Sequence, residues 1–170
     1  MAELHELAAT TYGGDAPGLV CGYLFDAGAA RPVQPMSSAQ AADWLAACSD
    51  PPAPSGTAPA YLWLHFNLSH AQAERWLARH AGLAEEFHEA LHEDRPSTRI
   101  ERADDALLAV INDVHFEFGF EPSDIATLWI SVGPRLIVTA RNKPLRSVDA
   151  LRTAVKAGDA PRSSSELLEH

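Results

Sequence analysis

At 170 residues, 46% of them hydrophobic, the chain is long enough for one domain with a substantial core, and a single domain is the expectation. A formal net charge of −10 argues against a nucleic-acid surface, which needs clustered Lys and Arg. No run approaches the ~18 to 20 uninterrupted apolar residues of a membrane helix, and a start bearing Glu3 and Glu6 is not that of a signal peptide, so the chain is expected to be soluble and not secreted. Two cysteines, Cys21 and Cys48, make a disulfide scaffold a poor explanation and buried structural thiols in a reducing compartment a better one.

Taken in order, residues 1–17 form a short polar, glycine-bearing lead-in. Residues 19–26 spell a first strand that ends before Gly28. From Ser37 to Ala47 the alanines with Trp44 and Leu45 predict a helix capped by Ser37 or Ser38. Four prolines between Ser49 and Pro59 deny that stretch either regular structure, and it is expected to be a disordered surface loop. Residues 61–67 carry bulky side chains on both faces, which predicts a strand inside the sheet rather than at its edge.

Ser69 and Gln72 have the spacing of a capping box, opening a helix that runs to Ala81 and closes at Gly82. Ala73, Trp76, Leu77, His80 and Ala81 fall on one side of it, so His80 is expected to be a packed histidine. A further helix over 83–93 buries Leu83, Phe87, Ala90 and Leu91, exposes its acids and stops before Pro96. Strands over 98–102 and 106–118 flank Asp104-Asp105.

Two alternating runs then flank Gly133-Pro134, and a β-hairpin over 125–140 follows. Ala126, Leu128, Ile130 and Val132 share one side of it; the opposite side mixes Thr127, Trp129 and Ser131 with Arg135, Ile137, Thr139 and Arg141 and is expected to be half-wet. Ser147 is placed as the cap of a last helix carrying Val148, Leu151 and Val155, which ends at Gly158. The α/β domain thus spans 18–158, followed by a polar tail over 159–170 whose last three residues look like the start of a vector-encoded histidine tag. The order of elements gives an α/β fold, an α/β/α sandwich with a mixed, largely antiparallel sheet.

Charge is uneven along the chain. Acid gathers from Glu85 to Asp105, whereas Arg135, Arg141, Lys143, Arg146, Arg152 and Lys156 make the C-terminal part basic. An acidic surface suits a divalent cation or a basic partner, or serves only to keep the protein solvated.

The one chemical motif is His88-Glu89-Ala90-Leu91-His92, an H-E-x-x-H that in metalloproteases sets two zinc-binding imidazoles one helical turn apart with the Glu as general base. With Phe87 at the centre of the apolar face, His92 and Glu89 lie on the wet side, and no downstream helix offers a third ligand. A non-catalytic metal contact is the other use of this surface. Glu85, His88 and His92 stand at i, i+3 and i+7, where an exposed Zn²⁺ could bridge them or bridge two subunits. Asp113, His115 and Glu117 alternate on one strand, which solvent exposure explains, and His65 sits among core residues. There is no G-x-S-x-G, no glycine-rich phosphate loop and no zinc-finger cysteine pair.

An ordered series of short matches runs from Tyr61 to Val155. It comprises Leu62-Trp63-Leu64-His65-Phe66-Asn67, Trp76-Leu77, Ala90-Leu91 with Arg95-Pro96, Ala106-Leu107-Leu108, and Pro122-Ser123-Asp124-Ile125 leading into Leu128-Trp129-Ile130. Arg135-Leu136-Ile137-Val138-Thr139-Ala140-Arg141 and Pro144-Leu145 through Val148-Asp149 complete it. On these residues the chain resembles the N-terminal cytoplasmic domain of CorA-type divalent cation transporters, and looks closest to the ZntB zinc-transporting branch.

The resemblance implies a non-enzymatic funnel domain on the cytoplasmic face of the inner membrane, assembled as a homo-pentamer. It further implies a long stalk helix and two membrane helices with a Gly-Met-Asn signature, none of which lies in these residues. Such a domain binds divalent cations, Zn²⁺ or Mg²⁺, near subunit boundaries and biases the pore between states. The alternatives are a small zinc metallohydrolase using His88, Glu89 and His92, and a freestanding metal-binding module.

Overall fold

A computed structural model describes residues 15–48, 59–114 and 125–168. In chain order the elements are β1 (Leu19–Phe25), β2 (Val33–Pro35), α1 (Ser38–Ala47), β3 (Tyr61–Asn67), α2 (Ala73–His80), α3 (Glu85–Leu91), β4 (Arg99–Ala103), β5 (Ala106–Val114), β6 (Ile125–Val132), β7 (Leu136–Arg141), α4 (Arg146–Ala157) and α5 (Ser164–Leu168). The strands make one sheet in the order β2-β1-β3-β7-β6-β5-β4. Only β3 and β7 pair in parallel among the described strands; every other neighbouring pair is antiparallel.

The interior placement expected for residues 61–67 holds, because β3 lies between β1 and β7 and its first six residues are all buried. Leu62, Leu64 and Phe66 pack with Ala41, Ala73, Leu77, Phe87 and Ala90 of α1, α2 and α3. Tyr61 and Trp63 point the other way, into a second cluster with Leu145, Val148, Val155 and Leu167 at α4 and α5. Tyr61 stacks on Phe25 with ring centroids 4.7 Å apart, and Trp63 on Tyr23 at 5.9 Å. A sheet with helices on both sides follows, the α/β/α sandwich the element order predicts.

The hairpin of β6 and β7 forms, but its faces differ from the expectation. Val132 stands opposite Ile137 and Trp129 opposite Ala140, because the turn spans four residues and Gly133 N–H donates to the Leu136 carbonyl. Trp129 and Ser131 therefore share a face with Val138 and Ala140, and Ile130 shares the other with Ile137. Neither face is half-wet. Residues 126–131 and 137–140 are all buried, and the Trp129 indole N–H donates to the Ala90 carbonyl at 2.9 Å.

Helix ends divide the same way. Ser37 makes a complete capping box with Gln40 at the start of α1. Ser69 does not cap α2, which opens at Ala73 with no side-chain cap; its hydroxyl donates instead to the Asn142 carbonyl, and its N–H to Asn67 Oδ1. Ser147 lies inside α4, which starts after the buried Leu145, and α3 is shorter at both ends than the predicted 83–93. Gly82 and Gly158, at φ +57° and +111°, do close α2 and α4 in the left-handed conformation that side chains resist.

The residues after Gly158 are not a free polar tail. Leu167 is buried, and the Tyr61 hydroxyl donates to the Pro161 carbonyl at 2.8 Å, so α5 belongs to the sandwich. Asp15 likewise ties the lead-in to the domain, its carboxylate accepting the Ser38 N–H at 2.7 Å. Residues 1–14, the proline-rich stretch over 49–58, the end of the predicted strand with His115 and Glu117, and the last two residues lie outside the described residues.

The facing of α3 makes a direct prediction. Phe87 is fully buried, so Phe87→Ala should lower unfolding free energy by ~3 to 5 kcal/mol, and His88→Ala by about 1 kcal/mol or less. Urea unfolding of the two variants beside the parent chain would show the opposite order only if the helix faced the other way.

Candidate functional site

α3 presents the predicted metal residues, but the chain does not gather them. Glu85, in the first turn, is exposed and well placed against the helix dipole. His88 is half-buried, its ring edge-on to Phe87 with centroids 6.0 Å apart. His92 has left the helix, which ends at Leu91 and takes His92 as its C-cap. There its Nε2 lies 3.3 Å from Glu74 Oε2 of α2, with 69% of the imidazole side chain and 44% of the carboxylate side chain exposed. A pair so open to water holds little energy, yet it turns His92 toward α2.

Among the described residues no three His, Cys, Asp or Glu side chains converge on a point that could hold a metal ion. The i, i+3, i+7 stripe over Glu85, His88 and His92 thus breaks at its last member. The same departure spoils the protease geometry, since H-E-x-x-H needs both imidazoles on a continuing helix face.

Beyond α3, Arg99 at the sheet's edge donates to both Glu93, at 2.6 Å, and Glu101, at 2.9 Å, so part of the acidic stretch is already neutralised within the chain. Sequence patterning carries no hint of this clamp, because its three members come from a strand and the loop before it.

Polar groups are concentrated more tightly inside the sheet than on it. His65 and Thr139 are register partners on β3 and β7, and His65 Nδ1 lies 2.8 Å from Thr139 Oγ1. The same oxygen accepts the Trp63 indole N–H at 3.0 Å. Burial, reinforced by the charge of Arg141, pushes the His65 imidazole down to about 3, so it stays neutral at any physiological pH. Cys21, beside His65 on β1, is pushed up to about 12 by burial against the opposing charges of Arg152 and Lys156. A thiol held protonated in this way is a poor nucleophile, but Cys21 and Cys48 are both half-buried by surface exposure, not the sealed structural thiols the sequence predicts. The buried His65, Thr139 and Trp63 group supports the core.

A mixed sheet between two helical layers, with acids and the surface histidines at the rim, defines a domain of the α/β/α class. Residues 59–170 match the family model described as CorA-like Mg2+ transporter protein, and the chain belongs to that family.

The chain is 31% identical over 108 residues to the divalent cation transporter CmaX of Pseudomonas aeruginosa, an alignment covering 63% of this chain and 32% of the relative. It is 23% identical over 112 residues to the zinc transport protein ZntB of Yersinia enterocolitica, covering 66% of this chain and 34% of the relative. The chain therefore spans about a third of the length of these relatives.

In three dimensions it superposes on full-length CmaX with a TM-score of 0.68 at 27% identity, over 91% of this chain and 44% of the other. On the ZntB cytoplasmic domain from Vibrio parahaemolyticus the TM-score is 0.63 at 14% identity, over 89% of this chain and 55% of the other, a likeness of fold.

The neutral His65 gives stability a pH dependence of known sign. Unfolded, a histidine titrates near ~6.5, whereas folded His65 titrates near about 3. Between these values the unfolded chain holds the extra proton, so the contribution is intact above the unfolded value and is lost as pH falls. Going from about pH 7 to about pH 5 should remove roughly 2 kcal/mol of unfolding free energy through this residue. Chemical denaturation at both pH values, for the parent and for His65→Gln, should show the smaller decline in the variant.

Proposed function

We propose that this domain is the cytoplasmic, cation-responsive part of a divalent cation transporter whose pore is formed by membrane segments outside residues 1–170. The observation that carries the reading is the family match across residues 59–170, joined to a fold shared with CmaX and the ZntB cytoplasmic domain. No described helix is long and apolar enough to cross a membrane, and the chain spans about a third of the length of these relatives.

The domain's surface supports service within a larger assembly. Ile100, Leu107 and Ile111 are 69%, 42% and 39% exposed, and their register with Ala109, Val132 and Leu128 puts all three on the sheet face that α4 and α5 only partly cover. Further chain of the same protein, or a neighbouring copy, completes that layer.

In the proposed mechanism Zn²⁺ or Mg²⁺ is cargo and also a ligand of the assembled domain. Five copies around an axis would bring their acidic surfaces together, and a divalent ion between them would lower the repulsion and favour the packed state. Glu85, His88 and His92 do not gather within one chain, so they would contribute to such an ion only in company with ligands from a second copy. Occupancy and pore state would then be linked. The hydrolase alternative is not favoured: the relatives carry transporter names, and His92 is turned away to Glu74.

The whole protein, reconstituted in liposomes loaded with a Zn²⁺- or Mg²⁺-sensitive dye, should admit one of these ions; flux of neither would remove the transport reading. For the domain itself, sedimentation velocity should show association that rises with Zn²⁺ or Mg²⁺ and falls with chelator. Imidazole ligands discriminate strongly for Zn²⁺, so a zinc-specific response should disappear in the His88→Ala, His92→Ala double variant. Profiles unchanged by any ion would count against a metal-linked interface.

A further inference from the structure

At the end of the sheet where β3 begins, the α2–α3 connection, the β4–β5 turn and the β6–β7 turn enclose a groove of about 530 Å³, open to solvent. Its size falls within the ~300 to 1,000 Å³ of small-molecule sites. Leu83, Ala84, Ala106 and Leu136 make the walls apolar. Among the described residues that line it one is a cation, Arg135, held in place through its backbone carbonyl, which accepts the Leu62 N–H at 2.8 Å.

The Arg135 guanidinium is poorly satisfied. Its Nη1 donates to the Cys48 carbonyl at a long 3.3 Å, and its buried Nε has no hydrogen-bond partner among the described residues. Leaving a buried donor of a charged group unpaired is costly, and a guanidinium fork is shaped to take a carboxylate. Two carboxylates stand at the same groove, Asp104 and Asp105, yet none of the ion pairs among the described residues includes Arg135. Asp104 is fixed in the left-handed turn conformation at φ 53°, and both acids are exposed to water.

From these features we propose that the groove binds a small amphipathic monocarboxylate, its head on Arg135 and its apolar body along Leu83, Ala84, Ala106 and Leu136. The paired acids at the rim set the preference for a single negative charge, because a second one on the ligand would face Asp104 and Asp105.

The probe is sodium octanoate, titrated into the 170-residue protein by calorimetry and by amide NMR. Saturable binding should shift the Gly82, Ala106 and Gly133 amides. Arg135→Met, which keeps the aliphatic length and removes the charge, should weaken binding by about ten-fold or more. Suberate, with a second carboxylate, and octanol, with none, should each bind more weakly than octanoate.

Should Arg135→Met fail to fold, Ala84→Trp serves instead: it leaves Arg135 in place, fills the groove, and should abolish binding. Octanoate that does not bind the parent, octanol that binds as tightly as octanoate, or an affinity untouched by either substitution would overturn the proposal.

Discussion

The structure depends on one strand that has no wet side. Tyr61 through Phe66 of β3 are each withdrawn from water, and alternate residues point into two different clusters. A fully buried aliphatic or aromatic side chain contributes about 1.5 to 3 kcal/mol relative to exposure, so neither face of β3 can be left uncovered. That requirement calls for α1, α2 and α3 on one side and α4 with α5 on the other. The parallel pairing with β7 adds a second demand, since two parallel neighbours cannot be joined by a tight turn. The chain between them must cross over, and it does so through two helices and three further strands before returning.

The consequence for function is a division between interior and rim. Histidine shows it best: His65, sealed beside Thr139, is held neutral and serves the packing, whereas His88 and His92 sit on or just past a short helix at the surface.

Most of the elements were legible in the sequence because hydrophobic periodicity is a local property; what was not legible depends on partners far along the chain. Ser37 and Ser69 carry the same Ser-x-x-Gln spacing, yet only the first caps a helix. The Ser69 hydroxyl is taken by the carbonyl of Asn142, 73 residues away, which no local pattern foretells. The hairpin of β6 and β7 was readable from its alternating runs, but which side chains share a face is decided by the four-residue turn, and counting across Gly133-Pro134 as a tighter turn reversed it. At the candidate metal surface the letters H-E-x-x-H were plain, whereas the partner that diverts His92, Glu74, belongs to a different helix. Pairing of His65 with Thr139 and the placing of Arg135 at its groove likewise exist only once the sheet has assembled.

The crossover that joins β3 to β7 also divides the sheet's pairings into local and distant ones. From β4 to β7 every strand pairs antiparallel with its sequence neighbour, so this meander requires only short closures. His65 and Thr139, by contrast, meet across 74 residues, and β3 must bond to β1 and β7 on its two edges. Long-range pairing of this kind is slow, and it leaves the free edge of β7 exposed while the meander waits for its partner. The waiting edge reads Leu-Ile-Val-Thr-Ala-Arg, a strand rich in β-branched and apolar residues whose only charge comes at its end. Before β3 arrives, the most available strand to pair with it is another chain's, so aggregation during folding competes directly with the insertion that completes the domain.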